Sequence, residues 1–284
     1  MRVTAYDNAD DFWLAAGPLL SADPVENTVL VTVLSRLLRG LVYGPDPAIM
    51  LAMHEGTQLT GVALATPPYP LSVGAVPESA APAVVEHLLV EDQSVSGASG
   101  LRPRVEAFAR AWAEATGDTV KVNRDERLYR LDRLVPPVGV PGWARLATGA
   151  DIPLLARWRQ EFAEEALGDE YVPVDFADQS RNSLSAGSAN MLWIVDDTAV
   201  ALAVAGRPQQ HMSRVGPVYT PAHLRGRGYG SAVTAAVSRW ALDEQARHVV
   251  LFTDLANPTS NSIYQQIGYR PASDHLNVAF VPAR

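Results

Sequence analysis

The chain predicts a mixed α/β protein built as two tandem halves of like design. Three observations carry this. Both halves read, in order, as strand, two helices, a run of strands, helix, strand, helix and closing strands. Between them lies a stretch rich in proline and glycine, residues 135–142 (VPPVGVPG), and these two residues stop regular structure. The length of 284 residues suits two domains of ordinary size. The expected organisation is a first domain over 1–135, a linker over 136–142 and a second domain over 143–284.

In the first half, residues 2–6 form a short strand, and 9–20 and 23–39 have helical periodicity. The second helix has a start signal in Asp23 as N-cap, Pro24 in the first turn and Glu26 at the capping-box position. Gly40 is its stop. Residues 48–54 and 59–65 are strands joined by Glu55, Gly56 and Thr57. A proline cluster at 67–70 precedes a short apolar piece, 71–73. Residues 78–91 predict a helix with Val84, Val85, Leu88 and Leu89 as its buried stripe, and 93–100 a weak strand or loop. Residues 103–116 predict a helix with Val105, Phe108 and Trp112 inward, closed by Gly117. Residues 120–134 are extended and predict two strands.

The second half repeats this order. Residues 143–146 form a strand, and Asp151 caps a helix with Ile152, Leu155, Trp158 and Phe162 on one face. Residues 176–185 are a poorer helix. Strands follow at 191–195 and 198–206, around Asp196 and Asp197. Residues 248–253 are a fully apolar, hence central, strand. A short helix covers 258–267, and two final strands lie within 269–281. The repeat is one of element order; no residue-level repeat accompanies it.

Composition bounds the chemistry. Hydrophobic residues make up 48 % and charged residues 19 % of the chain, as in ordinary globular proteins. The net charge of −8 gives no basic face for nucleic acid. There is no cysteine, which excludes disulfides and thiol catalysis and fits a cytoplasmic setting. The first residues are too polar for a signal peptide, and no apolar run reaches the ~20 residues of a membrane span. The six histidines are scattered, so no metal site is expected.

The most informative stretch runs from Pro217 to Ser231. A strand ends at Pro221, then Gly226, Gly228 and Gly230 alternate with Arg225, Arg227 and Tyr229, and a helix begins with Val233, Val237 and Trp240 on one face. A glycine turn at a helix start leaves several N–H groups unpartnered and lets a ligand approach the backbone. With the positive end of the helix dipole this is an anion site. A P-loop would need Gly-Lys-Ser/Thr here and a dinucleotide turn GxGxxG; neither is present.

The stretch from Arg225 to Gly230 instead resembles the R/Q-x-x-G-x-G/A loop of the Gcn5-related N-acetyltransferase (GNAT) superfamily. A second run, from Asn257 through Ser260, Ile263 and Tyr264 to Gly268 and Tyr269, satisfies the family pattern N-x-x-A/S-x-x-L/I-Y-x-x-x-G-F/Y. The motif-level resemblance covers roughly 143–284. It implies two acyl-CoA N-acyltransferase-like domains, each a mostly antiparallel sheet splayed around a CoA site and flanked by helices. It further implies acetyl-CoA, or another acyl-CoA, as donor and no metal. The N–H groups of Gly226, Arg227, Gly228, Tyr229, Gly230 and Ser231 would hold the pyrophosphate, with charge from Arg225 and Arg227. Val218, Tyr219 and Thr220 would pair with the pantetheine arm as an added strand would, and Asn257 would reach it. The thioester would lie in the splay beside residues 249–253.

The reaction implied is direct attack of an amine, from a small molecule or peptide, with Tyr264 as general acid. Glu161, Glu164, Glu165, Asp169 and Glu170 are the carboxylates on hand as base. Structural roles compete at each position: Tyr264 as a core aromatic beside Ile263 and Ile267, Asn257 as a helix cap, Trp158 and Trp240 as core, His211 and His223 as surface. The first half has no such motif, and its Pro77 and Glu78 are poor company for a pyrophosphate. It reads as a degenerate copy without a CoA loop. An acyl-CoA-binding, sensor or partner-binding protein without turnover is the alternative. The acceptor is left open, with the acidic balance favouring a cationic one, and so is the choice between monomer and homodimer.

Overall fold

A computed structural model of the chain describes residues 1–41, 46–167 and 174–283. The first ten elements are β1 (Arg2–Ala5), α1 (Ala9–Ala22), α2 (Thr28–Leu37), β2 (Ile49–Glu55), β3 (Gln58–Ala65), β4 (Leu71–Ala75), α3 (Ala81–Val90), β5 (Gly97–Leu101), α4 (Arg102–Thr116) and β6 (Thr119–Leu131). The next ten are β7 (Trp143–Leu146), α5 (Ile152–Leu167), α6 (Phe176–Ser185), β8 (Ala189–Val195), β9 (Thr198–Ala205), β10 (Met212–Tyr219), α7 (Tyr229–Asp243), β11 (His248–Asp254), α8 (Pro258–Gln266) and β12 (Tyr269–Val281). The order of element types in the first set recurs in the second, as the sequence predicts. No helix among the described residues is long and apolar enough to cross a membrane.

The chain divides into two compact units, and they do not follow chain order. The first comprises Met1–Arg127, Asp254–Ala256 and Ser273–Arg284; the second comprises Leu128–Thr253 and Asn257–Ala272. Thus β6 leaves the first unit after Arg127, and β12 re-enters it at Ser273. The proline- and glycine-rich run packs onto the second unit. Val135 N–H donates to Ile267 O at 3.0 Å, and Trp193 Nε1 donates to Pro141 O at 2.8 Å.

In the first unit the sheet order is β1-β2-β3-β4-β5-β12. Pairing is antiparallel except between β4 and β5, which are parallel. One face carries Leu51, Ala63, Val73, Ala98, Leu276 and Val278, packed with Val84, Leu88, Val105, Phe108 and Trp112. The expected stripes of α3 and α4 are therefore the buried ones, with Leu89 the exception, at the surface. Two expectations need correcting. Asp23 accepts from Glu26 N–H at 3.1 Å but caps only a turn; α2 starts at Thr28, because the turn consumes residues 24–27. Residues 119–131 form one strand, not two.

The second unit has the matching order β7-β8-β9-β10-β11, again antiparallel except for the parallel pair β10 and β11. On one face Val215, Val233, Val237, Val249, Leu251 and Ile267 form the main cluster. On the other, Leu155 and Trp158 of α5 pack on Leu192, Leu202 and Tyr219. Thr148, not Asp151, is the cap at the entry to α5. The two form a capping box in which Thr148 N–H donates to Asp151 Oδ2 at 2.8 Å. The last strands are also one: β12 runs unbroken through Pro271, Ser273 and Asp274, whose turn chemistry suggests a reversal. Asp274 instead takes a two-pronged bond from Arg127, and Ser273 donates to Glu26, so these polar side chains hold extended chain in place.

Candidate functional site

The site begins where β10 and β11 part. Their parallel pairing runs from Met212↔His248 to Val215↔Leu251. On its other edge β10 stays paired with β9 as far as Tyr219↔Leu202, with an irregularity between Val215 and Val218. Gly216 (φ +150) and Pro217 occupy that irregularity. Such a left-handed glycine tolerates the bend, and proline has no N–H to offer a neighbour. The sequence thus places the bulge, and the bulge opens the sheet. Beyond Val215 the edge of β10 that faced β11, including Val218, has no paired strand among the described residues.

The glycine stretch follows directly. Gly226 (φ +78) and Gly228 (φ +82) take left-handed conformations, and Gly228 is the N-cap of α7 with no side-chain cap. Among the described residues, the N–H groups of Gly226, Arg227, Gly228, Tyr229, Gly230 and Ser231 have no hydrogen-bond partner; the first helical bond is Ala232 N–H to Gly228 O at 3.0 Å. No acidic residue stands in the first turn of α7. The row of donors therefore meets the positive end of the helix dipole, about half a unit charge, without an internal anion to satisfy it. A Cβ at Gly226 would meet nothing within 4 Å, so the approach is open. One at Gly230 would lie 3.5 Å from Thr220 Oγ1, which sets the cradle against the strand end. The Tyr229 ring is buried in the core, so this residue offers only its backbone.

The two arginines differ. Arg227 is exposed and has no hydrogen bond or ion pair among the described residues. Arg225 is engaged by protein groups: its Nε donates to Thr220 O at 2.9 Å and its Nη2 pairs with Glu165 Oε2. Its guanidinium also lies 5.9 Å from the centre of the Tyr219 ring. The Tyr219 hydroxyl donates to Glu165 Oε1 at 3.4 Å. Burial pushes that phenol up to about 12, helped by the nearby carboxylates of Glu161 and Glu165, with Arg225 working the other way. Glu161 also lies 3.9 Å from Arg157, and Glu164 accepts from Gln160 at 2.9 Å. Asp169 and Glu170 lie outside the described residues. The convergence of Tyr219, Glu165 and Arg225 is not legible in sequence. The i, i+4 spacing of Glu161 and Glu165 shows one helical stripe, but nothing local says which strand residue it meets.

The second motif forms α8. Asn257 is its N-cap: the side-chain oxygen accepts from Ser260 N–H at 3.0 Å, and Pro258 fills the first turn. The Asn257 carbonyl also accepts from Asn261 Nδ2 at 2.7 Å. Tyr264 is 8 % exposed. It stands edge-on to Tyr269 at 6.2 Å. It belongs to the same buried cluster as Val215 and Leu251, the pair at which the strands separate. Burial alone raises its phenol to about 12. Its hydroxyl has no protein partner among the described residues, whereas Tyr269 shares a 2.7 Å bond with Ser238.

The corresponding place in the first unit is closed. A Cβ at Gly100 of β5 would lie 2.6 Å from Gly74 N of β4, so these backbones touch just past their last paired residues. Arg104 covers the Gly74 carbonyl. The helix after β4 is entered through Pro77, Glu78 and a proline in the first turn of α3. Proline removes a donor and Glu78 adds a negative charge where an anion would need the reverse.

Comparison with known proteins bears on the fold. Residues 192–278 match the family described as FR47-like protein. No curated protein matches the chain. Among solved structures, an acetyltransferase from the GNAT family of Colwellia psychrerythraea is 12 % identical with a TM-score of 0.61, covering 99 % of each chain. A GCN5-related N-acetyltransferase from Sphaerobacter thermophilus is 17 % identical with a TM-score of 0.61, over 99 % of this chain and 96 % of that one. A tandem GNAT protein from the clavulanic acid biosynthesis pathway is 12 % identical with a TM-score of 0.59, over 100 % of this chain and 99 % of that one. The chain has the mixed α/β fold of the GNAT acetyltransferases in tandem form.

Proposed function

We propose that the chain is an acyltransferase that moves an acetyl group from acetyl-CoA to a primary amine, with its one donor site in the second unit. The observation that carries this is the unpartnered N–H row from Gly226 to Ser231 beside the open edge of β10. The residues present fit the donor: the row suits a pyrophosphate, and the free strand edge suits the amides of a pantetheine arm. Arg227, unpaired among the described residues, adds a cation. When bound, the thioester supplies an activated carbonyl carbon, at which a C–N bond forms as the C–S bond breaks.

The chain's own groups act around that event. A backbone N–H of residues 218–220 polarises the carbonyl oxygen. Tyr264 remains a phenol at neutral pH and faces the departing sulfur. The contribution of Tyr264 is a hydrogen bond donated to the sulfur. Asn257 orients the pantetheine arm with the amide nitrogen left over from its capping role. The proton lost by the amine passes to Glu161 or to water, since Glu165 is engaged by Arg225. The first unit is a degenerate copy that does not hold CoA.

The burial of Tyr264 in the apolar cluster favours a second reading, in which the tyrosine is packing and the fold binds acyl-CoA without turnover. Calorimetric titration with acetyl-CoA and a thiol-release assay over a panel of amines decide between them. One site per chain with amine-dependent CoA release supports the transferase. Binding without release supports the second reading, and no binding sinks both.

A further inference from the structure

Arg225 is the first residue of the glycine-loop pattern, yet its guanidinium is already taken up by a carbonyl and a carboxylate of the protein. Its Nε caps Thr220 O at 2.9 Å, closing the loop 221–224 onto the strand end. Its Nη2 is tied to Glu165 on the last turns of α5, and the same carboxylate receives the Tyr219 hydroxyl at 3.4 Å. Tyr219, Thr220, Arg225 and Glu165 therefore form a closed ring. Tyr219 ends β10, Thr220 follows it, Arg225 opens the cradle, and Glu165 comes from a helix packed on the other face of the sheet. An arginine fork can hold a carbonyl and a carboxylate at once, which a point charge cannot. A CoA molecule must be met by the edge of β10 and by the N–H row together, so the spacing between them matters more than either alone.

We propose that Glu165 is a positioning residue of the donor site, acting through Arg225 to hold the end of β10 and the first glycine of the cradle at one spacing. This rests on the CoA reading above. It separates the two arginines: Arg225 sets geometry, and Arg227 supplies charge. It also makes a prediction opposite in sign to simple electrostatics. Removing the Glu165 charge near a polyanionic ligand should tighten binding if Arg225 were a free counter-charge. As a strut it should weaken it.

The test is calorimetric titration of CoA and, separately, of inorganic pyrophosphate, at two salt concentrations. The proteins are the unaltered chain, Glu165→Gln, Arg225→Gln, the double variant and Arg227→Gln. Glu165→Gln weakens CoA roughly three- to fivefold, the upper part of the range for a surface ion pair. It leaves pyrophosphate, which touches the cradle alone, within about twofold. The double variant is no weaker than Arg225→Gln, because the two residues act as one unit. The salt dependence of CoA binding is unchanged in Glu165→Gln and Arg225→Gln and reduced in Arg227→Gln. CoA binding by Glu165→Gln that equals or exceeds that of the unaltered chain overturns the proposal, as does an equal loss for CoA and pyrophosphate. If the unaltered chain binds no CoA, the donor reading itself falls, and the proposal with it.

Discussion

In Tyr264 the packing seen in the structure and the chemistry proposed for it meet in one side chain. Its ring completes the cluster around Val215 and Leu251, while its hydroxyl has no protein partner among the described residues. Tyr264→Phe keeps the ring and removes only the hydroxyl. Turnover should fall about tenfold or more, with CoA affinity within about twofold; steady-state kinetics beside calorimetry check it. A large loss of affinity would make the role structural. The pH behaviour follows from the raised pKa. Below about 10 the phenol is neutral in both folded and unfolded chains. Between there and about 12 the unfolded chain ionises and the folded chain does not, so stability falls as pH rises through that window. In Tyr264→Phe this alkaline loss should be smaller in denaturant titrations across that range. The sequence pattern placed Tyr264 on the right helix, but its lone hydroxyl depends on what β12 and α7 bring near it.

The elements around the site are held by local devices that substitution can probe. Gly228 has φ +82, and a Cβ there would lie 2.9 Å from Val140 Cγ2. Gly228→Ala is therefore strained twice, by backbone conformation and by contact. It should cost about 1–2 kcal/mol in denaturant unfolding and weaken CoA by misaligning the N–H row. At the entry to α5, the hydrogen bond and charge of Arg145 hold the Asp151 carboxyl down at about 2, despite some burial. That stability is present above the ordinary aspartate range near 3.8 and is lost as pH falls through about 2. Asp151→Asn should cost about 1–2 kcal/mol at neutral pH, and the variant should lose less than the unaltered chain between pH 4 and 2. Local reading succeeded where a cap and its helix adjoin, as at Asn257 and α8. It failed at Asp23, where a good capping side chain closes a turn that is not continued into helix.

For the whole molecule, the two sets of elements repeat in order and in strand pairing, yet among the described residues only the second carries the unpartnered N–H row proposed to hold the donor. The difference rests on backbone contacts: Gly74 and Gly100 touch in the first unit, and Gly216 and Pro217 spread the strands in the second. CoA should bind with a stoichiometry of one per chain. The units also predict what cutting the chain will do. A fragment of residues 143–284 lacks Tyr129 and Leu131, which are buried in the second unit's main cluster. It also leaves Ser273–Arg284 without the β5 partner that Ala279↔Gly97 and its neighbours supply. Such a fragment should be poorly folded by circular dichroism and rapidly digested, whereas the full chain resists. A stable fragment would mean that the linker at 136–142 is a true domain boundary.

The element order, the glycine cradle, the cap at Asn257 and the lack of a second cradle were determined by the sequence alone. Each depends on residues within a few positions of one another, where glycine conformations, proline's missing donor and unpaired helix-start N–H groups act directly. Other features were decided only by the tertiary structure. Arg225 pairs with Glu165, Tyr219 lies beside two carboxylates, and β12 from Ser273 onward belongs to the first unit although it follows the second in sequence. These depend on which distant segments come to share a face, and a linear pattern of hydrophobic and turn residues carries no record of that choice.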